Sequence, residues 1–153
     1  MTDLNFDIHA SWSGLRRQGE GRISTGGQKV VYSGPASMGG QGKGTSPEEL
    51  LVSAVTACYS GTLFHVLHDR GLPAEEVLVD ARGTVTGYPE QADFSRLTVN
   101  PTAVGGDPAR VDEYRAAAAD ARDRCFIGRV IRDHLSYEVG EVRVEPSQKG
   151  AAA

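Results

Sequence analysis

The chain has 153 residues, 39% of them hydrophobic and 24% charged, a balance that fits one soluble globular domain and argues against a disordered or membrane-embedded chain. A formal net charge of −4, with no segment that clusters Lys and Arg, gives no electrostatic reason to expect nucleic acid as a partner. Two cysteines, Cys58 and Cys125, stand 67 positions apart without a CxxC motif, which excludes a disulfide framework.

The first residues, MTDLNFDIHASW, are acidic and alternating instead of basic and then continuously apolar. They predict neither a signal peptide nor a membrane anchor, and so a cytoplasmic protein. From Leu4 onward the apolar residues Leu4, Phe6, Ile8, Ala10 and Trp12 recur at every second position, the period of a half-buried strand. GRIST and QKVVYSG predict two further short strands with Gly26 and Gly27 at their turn, making residues 4–33 an antiparallel meander. The glycine-rich stretch GPASMGGQGKGTSP then interrupts the pattern; it lacks the GxxxxGK[ST] spacing of a phosphate cradle.

A long helix follows. Ser46 caps it, Pro47 suits its first position, Glu49 completes a Ser-x-x-Glu capping box, and Gly71 and Pro73 end it. From Pro47 to Arg70 it would span about 36 Å, enough to cross the domain, with Ser53, Ala54, Ala57 and Gly61 permitting close packing. EVLVDARGTVTGY and FSRLTVNPTAV predict a hairpin whose connection starts at Tyr88-Pro89, with Val77, Val79, Ala81 and Val85 on one face of the first strand. Asp107 caps a second helix begun by Pro108, and its stripe of Val111, Ala118, Ala121 and Cys125 turns Cys125 inward. LSYEVGEVRVEP predicts a last strand bent near Gly140. The order is α+β, a single domain over residues 1–146 with a flexible tail at 147–153.

Each predicted helix thus carries one cysteine. A cysteine reads equally well as a small buried hydrophobe or as a reagent, and a reagent must be a thiolate. Cys58 lies eleven residues after Pro47, about three turns into its helix, so the helix dipole contributes little and a cation from elsewhere is required. GLRRQGEGR offers Arg16, Arg17 and Arg22 beside a hairpin turn, and Glu48 is a carboxylate able to fix a guanidinium fork. Glu48 is ten residues, hence about 15 Å, from Cys58 along the helix, a separation that a second subunit could close. His65 and His68 follow Cys58 at seven and ten positions, a spacing that matches no usual zinc pattern.

Taken together, GTSPEELLVSAVTACYS, the second cysteine in DRCFIGRVI and the strand-rich start with GEGRIST resemble the OsmC/Ohr family over residues 6–145. The resemblance implies an OsmC-like α+β fold, antiparallel sheets around two helices, in an intertwined homodimer whose active sites lie at the subunit interface. It implies a thiol peroxidase for organic hydroperoxides: Cys58 becomes a sulfenic acid, Cys125 resolves it to a disulfide, and an external dithiol, a dihydrolipoyl protein in one branch, reduces it. Arg17 would activate Cys58, with Arg22 and Arg16 in reserve, and Glu48 would hold the arginine. No metal or cofactor is implied, and neither nucleic acid nor membrane is a partner.

The sequence departs from the family pattern at identifiable positions. Where one branch has its arginine, ten residues before the glutamate, this chain has Met38; where the other branch has it, a gapless comparison places Gln18, next to Arg17. Phe126 follows the second cysteine where proline is common, so the helix is expected to run on past Cys125. These departures favour an alternative in which the same pocket binds a small hydrophobic or thiol-reactive ligand without peroxidase activity.

Overall fold

The computed structural model describes residues 1–148, so residues 149–153 of the expected tail lie outside the described residues. The described residues form two compact units, residues 1–51 and the residues from 52 onward.

In the first unit, β1 (Ile8–Ser13), β2 (Glu20–Thr25) and β3 (Gln28–Tyr32) form an antiparallel sheet in that order. The predicted meander is present, but its first strand starts at Ile8, and Leu4 and Phe6 precede it, exposed. The register sets Trp12 and Tyr32 on either side of Gly21, and their rings approach to 5.6 Å because position 21 carries no side chain. All six residues of β1 are exposed, not half-buried as the alternation predicts. The unit has no second layer of structure to cover the apolar face of its three-stranded sheet. The glycine-rich loop is held by buried Ser33, whose hydroxyl accepts from the Lys43 N–H at 2.8 Å and donates to the Lys43 carbonyl at 2.9 Å.

The helix α1 (Pro47–Asp69) opens in this unit and continues through the second. The Glu49 N–H donates to the Ser46 hydroxyl at 3.2 Å, and that hydroxyl donates to the Glu49 carboxylate at 2.9 Å, so the capping pair is present. At the other end Gly71 adopts φ +65°, and the Leu72 N–H returns to the Leu67 carbonyl, a six-residue closure that glycine permits.

In the second unit β4 (Glu76–Thr86) pairs antiparallel with β5 (Asp93–Val104), as the hairpin reading predicts. β6 (Ser136–Val139) and β7 (Arg143–Glu145) both pair with β5, and both run parallel to it, so this sheet is mixed and not wholly antiparallel. The reason is topological: between β5 and β6 the chain crosses over through helices and comes back in the direction it left. The bend expected near Gly140 is the break between β6 and β7, where a side chain would collide with Asn100.

The crossover begins with a 3-10 turn at Pro108–Arg110, capped by Asp107, which accepts from the Ala109 N–H at 3.0 Å. α2 (Val111–Arg124) and α3 (Phe126–Ile131) follow. Val55, Tyr59, Leu63, Val66 and Leu67 of α1 pack with Leu97 and Val99 of β5, with Tyr114, Ala117, Ala118 and Ala121 of α2, and with Tyr137 of β6. The alanines of α2 let Tyr59 approach closely enough for its hydroxyl to donate to the Ala118 carbonyl at 3.1 Å. By length and composition α1 could cross a membrane, yet these five buried side chains give it the core contacts of a globular domain.

Candidate active site

Cys125 is where the second helix breaks. Its ψ of 106° leaves the helical region, so α2 ends at Arg124 and α3 starts at Phe126. The uninterrupted helix expected from Phe126 does not form, because Cys125 itself acts as a cap: its sulfur accepts from the Gly128 N–H at 3.4 Å. Proline is thus not needed for the break. Cys125 is fully buried, and Cys58, on α1, is partly exposed against the same core.

The first N–H groups of any helix lack partners within it. In α3 those of Phe126 and Ile127 approach the sulfur of Cys58. Burial raises the pKa of Cys58, but the N–H of Ile127, the Cys125 thiol, the Thr62 hydroxyl and the N–H of Phe126 outweigh it, and the thiol is held below its ordinary value. Burial pushes the Cys125 thiol up, and its neighbour Cys58 pushes it further, against opposing contributions from the Gly128 N–H and the Tyr137 hydroxyl. The pair is therefore polarised: Cys58 gives up its proton more readily than Cys125, whose thiol is placed to donate to the Cys58 sulfur. Such an arrangement offers a nucleophilic sulfur at the surface and a second sulfur behind it.

A family model described as OsmC-like protein matches residues 40–140. The chain belongs to the OsmC family. Among curated relatives, this OsmC-family chain is 29% identical over 142 residues to "Uncharacterized protein YmaD" of Bacillus subtilis (strain 168), with 91% of this chain and 94% of the relative covered. Its fold is shared with an organic hydroperoxide resistance protein OsmC from Legionella pneumophila, at a TM-score of 0.68 and 23% identity over 94% of this chain and 99% of that one. The organic hydroperoxide resistance protein OhrB of Bacillus subtilis is similar at a TM-score of 0.66 and 17% identity, with 90% and 98% covered.

Of the predicted site residues, the OsmC-family structure brings Cys58 and Cys125 together. The remaining candidates lie in the first unit. Arg16, at φ +52°, and Arg17 form an exposed 3-10 turn with Gln18, and Arg22 is exposed on β2, where it faces Glu20. Among the described residues neither Arg16 nor Arg17 forms an ion pair. Glu48 sits in the first turn of α1 with one carboxylate oxygen buried and without a hydrogen-bond partner. His65 and His68 are on the exposed side of α1.

Four contributors escaped sequence reading. Thr62, one turn after Cys58, donates to the Cys58 carbonyl at 2.8 Å and lies close enough to turn its proton to the sulfur; the i, i+4 spacing was the available signal. The N–H groups of Phe126 and Ile127 became available only through a helix break that no residue type announces. Tyr137 of β6 reaches Cys125 through tertiary packing alone.

Proposed function

We propose that the protein is a two-cysteine thiol peroxidase that reduces organic hydroperoxides to alcohols. The observation that carries this is the polarised pair, a partly exposed Cys58 held toward thiolate beside a buried, protonated Cys125. The Cys58 thiolate attacks the terminal peroxide oxygen, the O–O bond breaks, the alkoxide takes a proton and leaves as the alcohol, and a sulfenic acid remains. The Cys125 thiolate then attacks the sulfenic sulfur, the S–S bond forms, and hydroxide leaves as water after protonation. An external dithiol returns both cysteines to thiols as it becomes a disulfide; a dihydrolipoyl protein has the required chemistry. Family membership and the fold shared with organic hydroperoxide resistance proteins support the same reading.

Arg17 is the arginine of this site, with Arg22 and Arg16 in reserve, and Glu48 is its carboxylate. An unpaired guanidinium and a buried carboxylate oxygen without a partner are complementary groups. A homodimer supplies the arrangement, each copy completing the other's site. The exposed stripe of Ala54, Ala57 and Gly61 on α1 and the uncovered apolar face of β1 suit a second copy. The organic tail of a hydroperoxide gains from apolar surface, and Phe126, whose N–H approaches the sulfur, exposes 58% of its own. The working site is cytoplasmic.

The test adds one equivalent of cumene hydroperoxide to the reduced protein and follows thiol content and intact mass. Wild type loses both thiols and about 2 Da, Cys58→Ser is inert, and Cys125→Ser stops at the sulfenic acid or overoxidises. Retention of both thiols by wild type over minutes would overturn the peroxidase reading. Sedimentation of a monomer at micromolar concentration would overturn the shared site.

A further inference from the structure

Tyr137 is buried, 3% exposed. The guanidinium carbon of Arg122 lies 5.2 Å from the ring centroid, while the Arg122 Nε–H donates to the Tyr137 carbonyl at 2.9 Å. One edge of the ring abuts Gly128 so tightly that a methyl group there would overlap the ring carbon Cε2. Gly128 is the residue whose N–H caps the Cys125 sulfur, so the phenol end of the ring is carried to the same turn. Its hydroxyl is buried and makes no hydrogen bond, to sulfur or to any other acceptor, with Cys125 in its thiol form.

An orphaned buried hydroxyl is unfavourable, and phenylalanine would fill the same space without one. The acceptor at the turn it shares through Gly128 is the sulfur of Cys125, with which it interacts electrostatically. A thiol is a weak acceptor and a thiolate a strong one, so the contact gains its value only when Cys125 loses its proton.

We propose that Tyr137 donates a hydrogen bond to the Cys125 sulfur and steadies it as a thiolate whenever the Cys58–Cys125 disulfide is made or broken. The assignment rests on the two-cysteine reading above. In closure, the Cys125 thiolate attacks the Cys58 sulfenic sulfur, forming S–S and releasing hydroxide, which is protonated to water. In reduction, a thiolate of the external dithiol attacks Cys58, the S–S bond breaks, and Cys125 departs with the electron pair. The hydroxyl lowers both barriers by favouring the same charged sulfur, and it takes no part in the attack on peroxide. The titratable and charged groups around Cys125 are Cys58 and Tyr59 of α1, Tyr137 of β6 and, beyond the Tyr137 ring, Arg122 of α2.

The experiment compares wild type with Tyr137→Phe in two ways. In a Cys58→Ser background, cysteine labelled with carbon-13 at Cβ reports the ionisation of Cys125 by NMR; the midpoint should rise by about one pH unit on loss of the hydroxyl. With both cysteines present, cumene hydroperoxide should consume the first thiol at an unchanged rate, while disulfide closure at pH 7 slows about threefold, the roughly tenfold loss of thiolate being partly offset by its greater nucleophilicity, and overoxidised Cys58 accumulates. Site-specific 3-fluorotyrosine at position 137, a stronger donor of nearly the same shape, should move the midpoint the other way. An unchanged midpoint in both variants overturns the assignment, as does an unchanged closure rate. If wild type does not react with peroxide, the peroxidase reading falls by itself, and the Cys125 titration still decides the contact.

Discussion

Replacing Phe126 by proline isolates the contribution of one backbone N–H to the Cys58 thiolate. The substitution suits the backbone, because Phe126 is the first residue of α3, where proline is well tolerated, and Cys125 before it has an extended ψ of 106°. Little packing is lost, since the ring is 58% exposed. What disappears is one of the two N–H groups directed at the sulfur, the lesser of them, while that of Ile127 stays. A hydrogen bond to a charged group contributes about 1.5 kcal/mol, so the Cys58 pKa should rise by up to about one unit. The sign follows from the chemistry: a thiolate stabilised in the folded protein reacts at lower pH, and removing a donor moves the reactive range upward. The assay is the pH dependence of bromobimane alkylation of the reduced protein, in which partly exposed Cys58 reacts before buried Cys125. An unchanged midpoint, with the fold intact by circular dichroism, would refute the claim that the start of α3 stabilises this thiolate.

Other substitutions probe other parts of the same architecture. Gly128→Ala forces a methyl group against the buried Tyr137 ring and should destabilise the protein by about 1–3 kcal/mol in urea unfolding. Ser46→Ala removes the cap of α1 and should cost about 1 kcal/mol in the same measurement. Arg17→Ala and Glu48→Gln should each slow oxidation of Cys58 by organic hydroperoxide by about one to two orders of magnitude in stopped-flow assays, with Arg16→Ala near wild type; equal losses in both arginine variants would deny Arg17 its special place.

The elements that could be read from sequence are those whose signals are local. Ser46, Pro47 and Glu49 mark the start of α1 and Gly71 its end, because caps and turns depend on a few neighbouring groups. The cysteines were legible as a pair through family resemblance, and the structure adds that their environments push the two thiols in opposite directions. The direction of β6 and β7 was not legible, since parallel or antiparallel pairing is settled by the route of the chain between strands. Nor was the break at Cys125: neither glycine nor proline marks it, and it is held by a sulfur accepting an N–H. The exposure of β1 has a similar origin, since alternation specifies an apolar face and not the layer that covers it.

The cap on α3 also makes one backbone amide a witness to oxidation. A sulfur engaged in a disulfide is a poorer acceptor than a thiolate, and formation of that bond with Cys58 would draw Cys125 away from the Gly128 N–H it now accepts. Hydrogen exchange at Gly128 should therefore quicken in the oxidised protein, and the short helix beginning at Phe126 would fray from its first turn. The exposed surface of Phe126 and Val130 would change with it, so a partner touching α3 could distinguish the oxidised protein from the reduced one without reading either sulfur directly.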